Sequence, residues 1–330
     1  MTVGRPSGLV DPLGGTPPRP ACSVRRTSHI DIAPGDGDGP FGDGLSLRGA
    51  ARDLRTTGGR VEVLAGAELD AFLDGERQLR SLVTVPADPR TAELAGRAVA
   101  GGFRAALDAA LPGARAAATP LYLLLDELPV AALISGYAQL YSGTLGPGAA
   151  AGGQLKADIC AGWRSDGTML VALGRTGAIP VPLGPAPPPL ETPEDPLAWH
   201  PIGPLPAGAM RRRRLVEVGA GDPLTVFALF RDTHVDDNGV ETILHEYTLT
   251  AALDPVSLVL SDCRARPRVL PWVECPAAAD SAARLDGHAV GDVRRLVARE
   301  LRGTTTCTHL NDLLRSLGDL GTLAAALAGP

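Results

Sequence analysis

The two halves of this chain resemble each other, and that constrains its fold more than any other feature. Arg25–Ile32 (RRTSHIDI) matches Arg211–Val218 (RRRRLVEV) in charge and in the alternation of a strand. Leu45–Asp53 then matches Leu224–Asp232, each segment closing on Arg-Asp. Turn residues follow in both, Thr57-Gly58-Gly59 and Asp237-Asn238-Gly239, of the kind that hairpins favour. Further on, Pro86–Val99 tracks Pro276–Val290. Helical spacing continues from there, through Val99, Phe103, Leu107 and Leu111 in one half and Val290, Val293, Val297 and Leu301 in the other. Leu121–Leu128 stands opposite Thr306–Leu313. Each half therefore reads as strand, hairpin, strand, helix, helix. The expected architecture is α+β: two pseudo-repeated units, each an antiparallel hairpin-rich sheet packed against helices, related by a pseudo-two-fold.

Glycine (40) and proline (30) make up about a fifth of the 330 residues, and their clusters set the boundaries. Residues 1–24 read as a disordered tail, and Met1–Gly39 as dispensable, because nothing there supplies a core. Residues 25–150 form the first unit, ending in a Gly/Ala patch at Leu145–Gly153. Residues 151–178 read as an extra β-hairpin, with strands Leu155–Ala161 and Thr168–Leu173. Residues 179–207 are a proline-rich extended connector, and 208–330 the second unit.

Composition also removes partners. Aromatics are 4%, too few for base-stacking platforms, and a net charge of −6 gives no field for a polyanion. Nucleic acid is therefore excluded. No apolar run has the length of a signal core or a membrane span. Five cysteines without paired spacing read as reduced thiols in the cytoplasm.

The halves differ where chemistry can sit. Cys307 stands opposite Tyr122, His309 opposite Leu124, Cys275 near Thr84, and His245 near Ala65 or Gly66. A helix beginning near Thr305 or Thr306 would place Cys307 in its first turn, where backbone N–H groups favour a thiolate. Cys275 precedes Pro276 and marks a second helix start. Asp232 ends a strand and is a candidate to orient a histidine. His245 and Glu246 are adjacent on a strand, so only one of them can face a given site. Asp236–Gly239 is turn chemistry rather than a calcium loop, since no bidentate Glu follows.

Several of these segments resemble the bacterial family catalogued as domain of unknown function 2889. They are Arg25-Arg26-Thr-Ser-His-Ile-Asp, Leu-Leu-Leu-Asp-Glu-Leu-Pro with Ser135-Gly136-Tyr137, Ala157–Trp163, and Gly-Thr-Thr-Thr-Cys307-Thr-His309-Leu-Asn-Asp. The resemblance implies shared positions at Asp232, His245-Glu246, Cys275-Pro276 and Cys307–Leu310, and no reaction. Three readings stay open. Cys307 is a nucleophile with His309 or His245 as base and Asp232 or Glu246 as orienter, for acyl transfer or thioester hydrolysis. Alternatively Cys275, Cys307, His309 and His245 hold zinc, as a hydrolase, a lyase or a structural site. Or the chain is a non-catalytic module in which Arg211–Arg214 recognise a small anion. The expected partner is a small-molecule substrate, anionic under the last reading.

Overall fold

The computed structural model describes residues 3–4, 8–35, 44–143 and 156–328. The Gly/Ala patch and the first residue of the proposed Leu155–Ala161 strand lie outside these. Strands β1 (Val3–Gly4) and β6 (Val181–Pro182) form a parallel pair, and the other eight form one sheet that organises the molecule, in the order β10-β9-β8-β7-β2-β3-β4-β5, with every neighbouring pair antiparallel. One meander comprises β2 (Cys22–Pro34), β3 (Gly44–Thr57), β4 (Arg60–Asp74) and β5 (Leu79–Val85). The other comprises β7 (Met210–Gly219), β8 (Leu224–Val235), β9 (Glu241–Leu253) and β10 (Leu260–Val269). The two join edge to edge through β2 and β7, with Ser28 opposite Arg214. The outer strands β5 and β10 were not named from sequence.

Each meander feeds a 3₁₀ turn and then helices on one face of the sheet. From the first come α1 (Phe103–Ala110), α2 (Ala114–Ala117), α3 (Pro120–Ile134) and α4 (Gly136–Tyr141). From the second come α6 (Val290–Glu300), α7 (Thr308–Ser316) and α8 (Leu320–Ala328), after a 3₁₀ segment at Cys275–Leu285. The segment expected to form an extra hairpin instead holds a 3₁₀ turn at Ala161–Trp163 and a helix, α5 (Thr168–Thr176). Met169, Val171 and Leu173 alternate as a strand would, but Thr168–Thr176 contains no residue that stops a helix, and Gly177 caps it with a φ of +70°.

Helix α3 begins on Thr119, whose hydroxyl accepts the Tyr122 N–H, with Pro120 in the first turn. It is apolar all round and nearly all its residues are buried, as a central helix requires. The run Pro120–Tyr141 has the length and composition of a membrane span, which the sequence had been read to lack; 78% of its most apolar window is buried in the molecule.

The second face of the sheet is also covered, and by the segments expected to be a tail and a connector. Residues 8–21 and 183–205 lie across it, so Leu190, Ala198 and Trp199 pack on Leu215 and Leu229. Gly15 and Thr16 donate backbone N–H bonds to Pro189 and Leu190, and Arg19 pairs with Asp195 at 2.7 Å. The reading of 1–24 as a disordered tail is therefore corrected for residues 8–24. Cys22–Pro34 is a central strand, so the part of Met1–Gly39 from residue 22 to 34 is integral to the sheet. Few apolar residues are needed there, because the segment satisfies buried polar groups of the strands instead.

Candidate metal centre

Strand β8 places Asp232 on the helix-bearing face, and β9 brings His245 directly opposite it. A register shift follows immediately between Asp232 and Thr233. Such a bulge re-aims side chains next to functional sites. The third group comes from the start of α7. Cys307 is itself the N-cap, with φ −130° and ψ 128°, in place of the expected Thr305 or Thr306. The Thr306 hydroxyl bonds back to Gly303 O at 2.9 Å, Gly303 turns at φ +77°, and Ala161 N–H holds Thr306 O at 2.8 Å. That fixes the direction in which His309 projects.

One donor atom each from Asp232, His245 and His309 lies within 4.8 Å of the others. The imidazoles of His245 and His309 stack with centroids 3.7 Å apart and planes 17° from parallel. His245 Nδ1 is 3.9 Å from Asp232 Oδ2. Both His245 Nδ1 and Asp232 Oδ1 are buried with no hydrogen bond among the described residues. Burial lowers the His245 pKa to about 3, helped by the Arg212 charge, and holds His309 well below its ordinary value. Both rings are therefore neutral, with lone pairs free to ligate. Burial raises Asp232 to about 6, although Arg212 and Arg214 pull it down.

Arg212 positions that carboxylate. It is fully buried, lies 3.4 Å from Asp232 and 3.5 Å from Asp312, and stands over the Phe230 ring. Asp312 sits on α7, one turn past His309, and also ion-pairs with Arg214 and Arg104. Burial alone would raise Asp312, but Arg214, Arg212, Arg104 and Arg315 together hold it low. Glu127 of α3 closes the network on Arg214.

Four of the sequence candidates meet at one cavity of about 570 Å³, lined by His245, His309, Cys307 and Cys275. Cys307 Sγ is 3.9 Å from His309 Nδ1. Backbone N–H groups of Leu310 and His309 favour its thiolate, but burial prevails and puts the thiol at about 11. Burial likewise pushes Cys275, the first residue of its 3₁₀ segment, upward. Glu246 does not join. It points to the opposite face, ion-pairs with Arg231, and accepts the Leu13 N–H at 2.6 Å. The arginine quartet is consumed by carboxylates: Arg211 by Asp31, Arg212 by Asp232 and Asp312, Arg213 by Glu191, and Arg214 by Glu127 and Asp312.

Sequence reasoning missed Arg212 as the partner of Asp232, and missed Cys160, Trp163 and Trp272 as cavity wall. A signal for Arg212 was present. It shares a strand face with Arg214, Val216 and Val218, so burial of the valines obliges burial of the arginines.

Residues 210–322 match the family model described as protein of unknown function (DUF2889), a stretch that holds Asp232, His245, Cys275, Cys307 and His309. No curated protein and no solved structure matches the chain.

Proposed function

We propose that this chain, whose residues 210–322 carry the DUF2889 domain, is a cytoplasmic zinc-dependent enzyme that acts on a carbonyl or acyl substrate as a hydrolase or lyase. The observation that carries the reading is the convergence of Asp232, His245 and His309, the two histidines lining the cavity, with polar atoms of two of the three left without hydrogen bonds among the described residues. Two imidazoles and a carboxylate are a donor set apt for zinc, and three protein ligands leave a position for substrate. A zinc ion held there would supply Lewis acidity toward a carbonyl oxygen. Arg212 keeps the Asp232 carboxylate aimed, as an outer partner of a ligating group does. The Cys307 thiol and the Thr308 hydroxyl line the same end and can donate hydrogen bonds to a bound oxygen.

The thiolate alternative has less support, since Cys307 is buried as a neutral thiol and His309 is a poor proton acceptor. The anion-binding alternative needs free arginines, and each of Arg211–Arg214 has a carboxylate partner. The cytoplasmic placement is supported by five cysteines that form no disulfide.

The reading includes an internal duplication that kept its chemistry in one copy. Three correspondences support it. Arg26 stands opposite Asp53 in β2–β3 as Arg212 stands opposite Asp232 in β7–β8. Asp53 faces Ala65 as Asp232 faces His245, and a register shift follows each aspartate. A second cavity, about 460 Å³, lies beside Ala65, Gly66 and Tyr122, the residues opposite the site in the alignment of the halves.

The test is zinc titration by calorimetry of protein made without a metal-affinity tag and treated with chelator. One zinc per chain is expected, lost in His245→Ala and in His309→Ala and kept in Cys307→Ser. No uptake, or uptake indifferent to both histidines, removes the proposal.

A further inference from the structure

The zinc reading leaves the substrate class open, and the remaining walls of the cavity bear on it. Among the described residues that line it there is no Lys, Arg, Asp or Glu. The sides are Leu133, Tyr137, Trp163, Met169, Leu244 and Trp272, with prolines 180, 182 and 271 between them. About 570 Å³ holds a molecule of drug size. Away from the His245–His309 end, where a bound zinc would carry charge, an ionised group taken into such a space would lose its hydration with no counter-charge to replace it. Arg212 and Arg214 are not among the lining residues and are already matched by Asp232, Asp312 and Glu127. His245, His309, Cys307 and Thr308 lie together in the lining, His309 stacked on His245 and its Nδ1 3.9 Å from Cys307 Sγ and 3.5 Å from Thr308 Oγ1.

The walls also come from separate parts of the chain. Leu133 and Ile134 end α3, and Tyr137 and Leu140 belong to α4, all in the first unit. Cys160–Trp163 and Met169 come from the segment between the units. Tyr137 is anchored across this junction by a 2.7 Å bond to Pro182 O. The first unit thus lines a site whose reactive groups are all in the second.

We infer that the substrate has a bulky, uncharged, apolar body, aromatic or branched, and carries a single carbonyl group toward His245 and His309, and that α3 and α4 of the first unit set this preference. The placement of the carbonyl rests on the zinc reading; the neutral apolar body does not. Leu133 lies at the rim, 59% exposed, so a charge put there reaches the mouth without entering the core.

Two fluorescent probes with one shared ring system separate the alternatives. N-phenyl-1-naphthylamine is neutral, and 8-anilinonaphthalene-1-sulfonate adds an anionic group. The neutral probe is expected to bind one per chain, at least tenfold more tightly than the sulfonate, and to accept energy from Trp163 and Trp272. Leu133→Arg is expected to narrow that ratio at least fivefold by favouring the sulfonate. Equal or tighter binding of the sulfonate to the native chain overturns the inference, as does failure of the neutral probe to bind. A ratio unchanged in Leu133→Arg overturns the role of α3. Treatment with chelator, which removes any zinc held under the earlier proposal, should leave the neutral probe's affinity within threefold. Zinc uptake and probe binding can therefore fail independently.

Discussion

His245 and His309 lie face to face, ring centroids 3.7 Å apart, although one sits mid-strand on β9 and the other in the first turn of α7. Two neutral rings so placed gain stacking energy, but His309 Nδ1 has only long contacts, to Cys307 Sγ at 3.9 Å and Thr308 Oγ1 at 3.5 Å, and a polar group so weakly held away from water costs about 1–3 kcal/mol. Replacing His309 by leucine, the residue aligned with it in the first half, should therefore leave the metal-free protein within about 1 kcal/mol of its native stability or raise it. Native protein should gain about 2.7 kcal/mol when zinc reaches a hundredfold excess over its dissociation constant, and His309→Leu should gain nothing. Urea unfolding with and without zinc reads both values. A large loss of stability in the metal-free variant would mean that packing, and not ligation, explains the pair.

The charge network under the site gives a prediction of opposite sign. Asp312 meets Arg212, Arg214 and Arg104, and every member of this group except Arg104 is nearly inaccessible. Asp312→Ala leaves the Arg214 guanidinium with the Glu127 carboxylate and the backbone carbonyl of residue 312, and removes the second carboxylate partner of Arg212. Breaking a buried pair from one side costs about 3–5 kcal/mol. Asp312→Ala should reach that range in urea, while Asp70→Ala, which breaks the exposed pair with Arg48, should change stability by less than about 0.5 kcal/mol.

On the other face of the sheet, His29 Nδ1 and His200 Nε2 are 2.7 Å apart, and Thr27 Oγ1 is 2.8 Å from His200 Nδ1. Burial lowers His29 to about 4 and His200 to about 3; Asp31 opposes this for His29, while Arg211 and Arg213 lower both. The folded pair stays neutral where the unfolded chain, titrating near 6.5, has taken up protons. Below pH 6.5 the unfolded state binds more protons, so stability is full above that pH and falls toward about pH 4. The slope should be about 1.4 kcal/mol per pH unit for each histidine. His200→Gln should flatten it, and an unchanged slope would place the acid sensitivity elsewhere.

How much of this was legible depended on which force shaped each part. The strand alternation of Arg25–Ile32 and Arg211–Val218 follows directly from a sheet buried on a helix layer, so those central strands could be read. The segment Thr168–Thr176 could not, because its alternation of Met169, Val171 and Leu173 fits strand and helix equally in a run of nine residues. Residues 8–21 were misread because much of their packing is polar: Glu246 and Arg231 hold the Leu13 backbone, beside the contact its side chain makes with the cluster of Leu190, Trp199, Leu215 and Leu229. At the site, the cysteines and histidines were visible by contrast with the other half. The choice among them was not, since it depends on burial, which composition does not report.

That misreading yields a further test. Removing residues 1–21 deletes the strand-covering bonds at Leu13, Thr16 and Arg19, and exposes the Arg231–Glu246 pair. The loss should be about 3 kcal/mol or more, counting two or three hydrogen bonds to charged groups at about 1.5 kcal/mol each. The melting temperature should fall by at least about 4 °C. A truncated chain with native melting behaviour would restore the view of this segment as a dispensable tail.

Gly162 joins the cavity wall to Cys275 more tightly than any side chain would allow. A Cβ added there would stand 2.7 Å from Cys275 Sγ and 3.0 Å from Trp272 Cδ1. Both neighbours are packed, so neither can retreat without moving the 3₁₀ segment that begins at Cys275. Gly162→Ala should cost about 1–3 kcal/mol through overpacking. It should also weaken binding of the neutral probe by pressing Trp272 inward. Cys275→Ala removes the closer obstacle, so the double variant should recover at least half the loss caused by Gly162→Ala. Additive losses in that cycle, measured by urea unfolding, would show that Gly162 and Cys275 do not interact in this way.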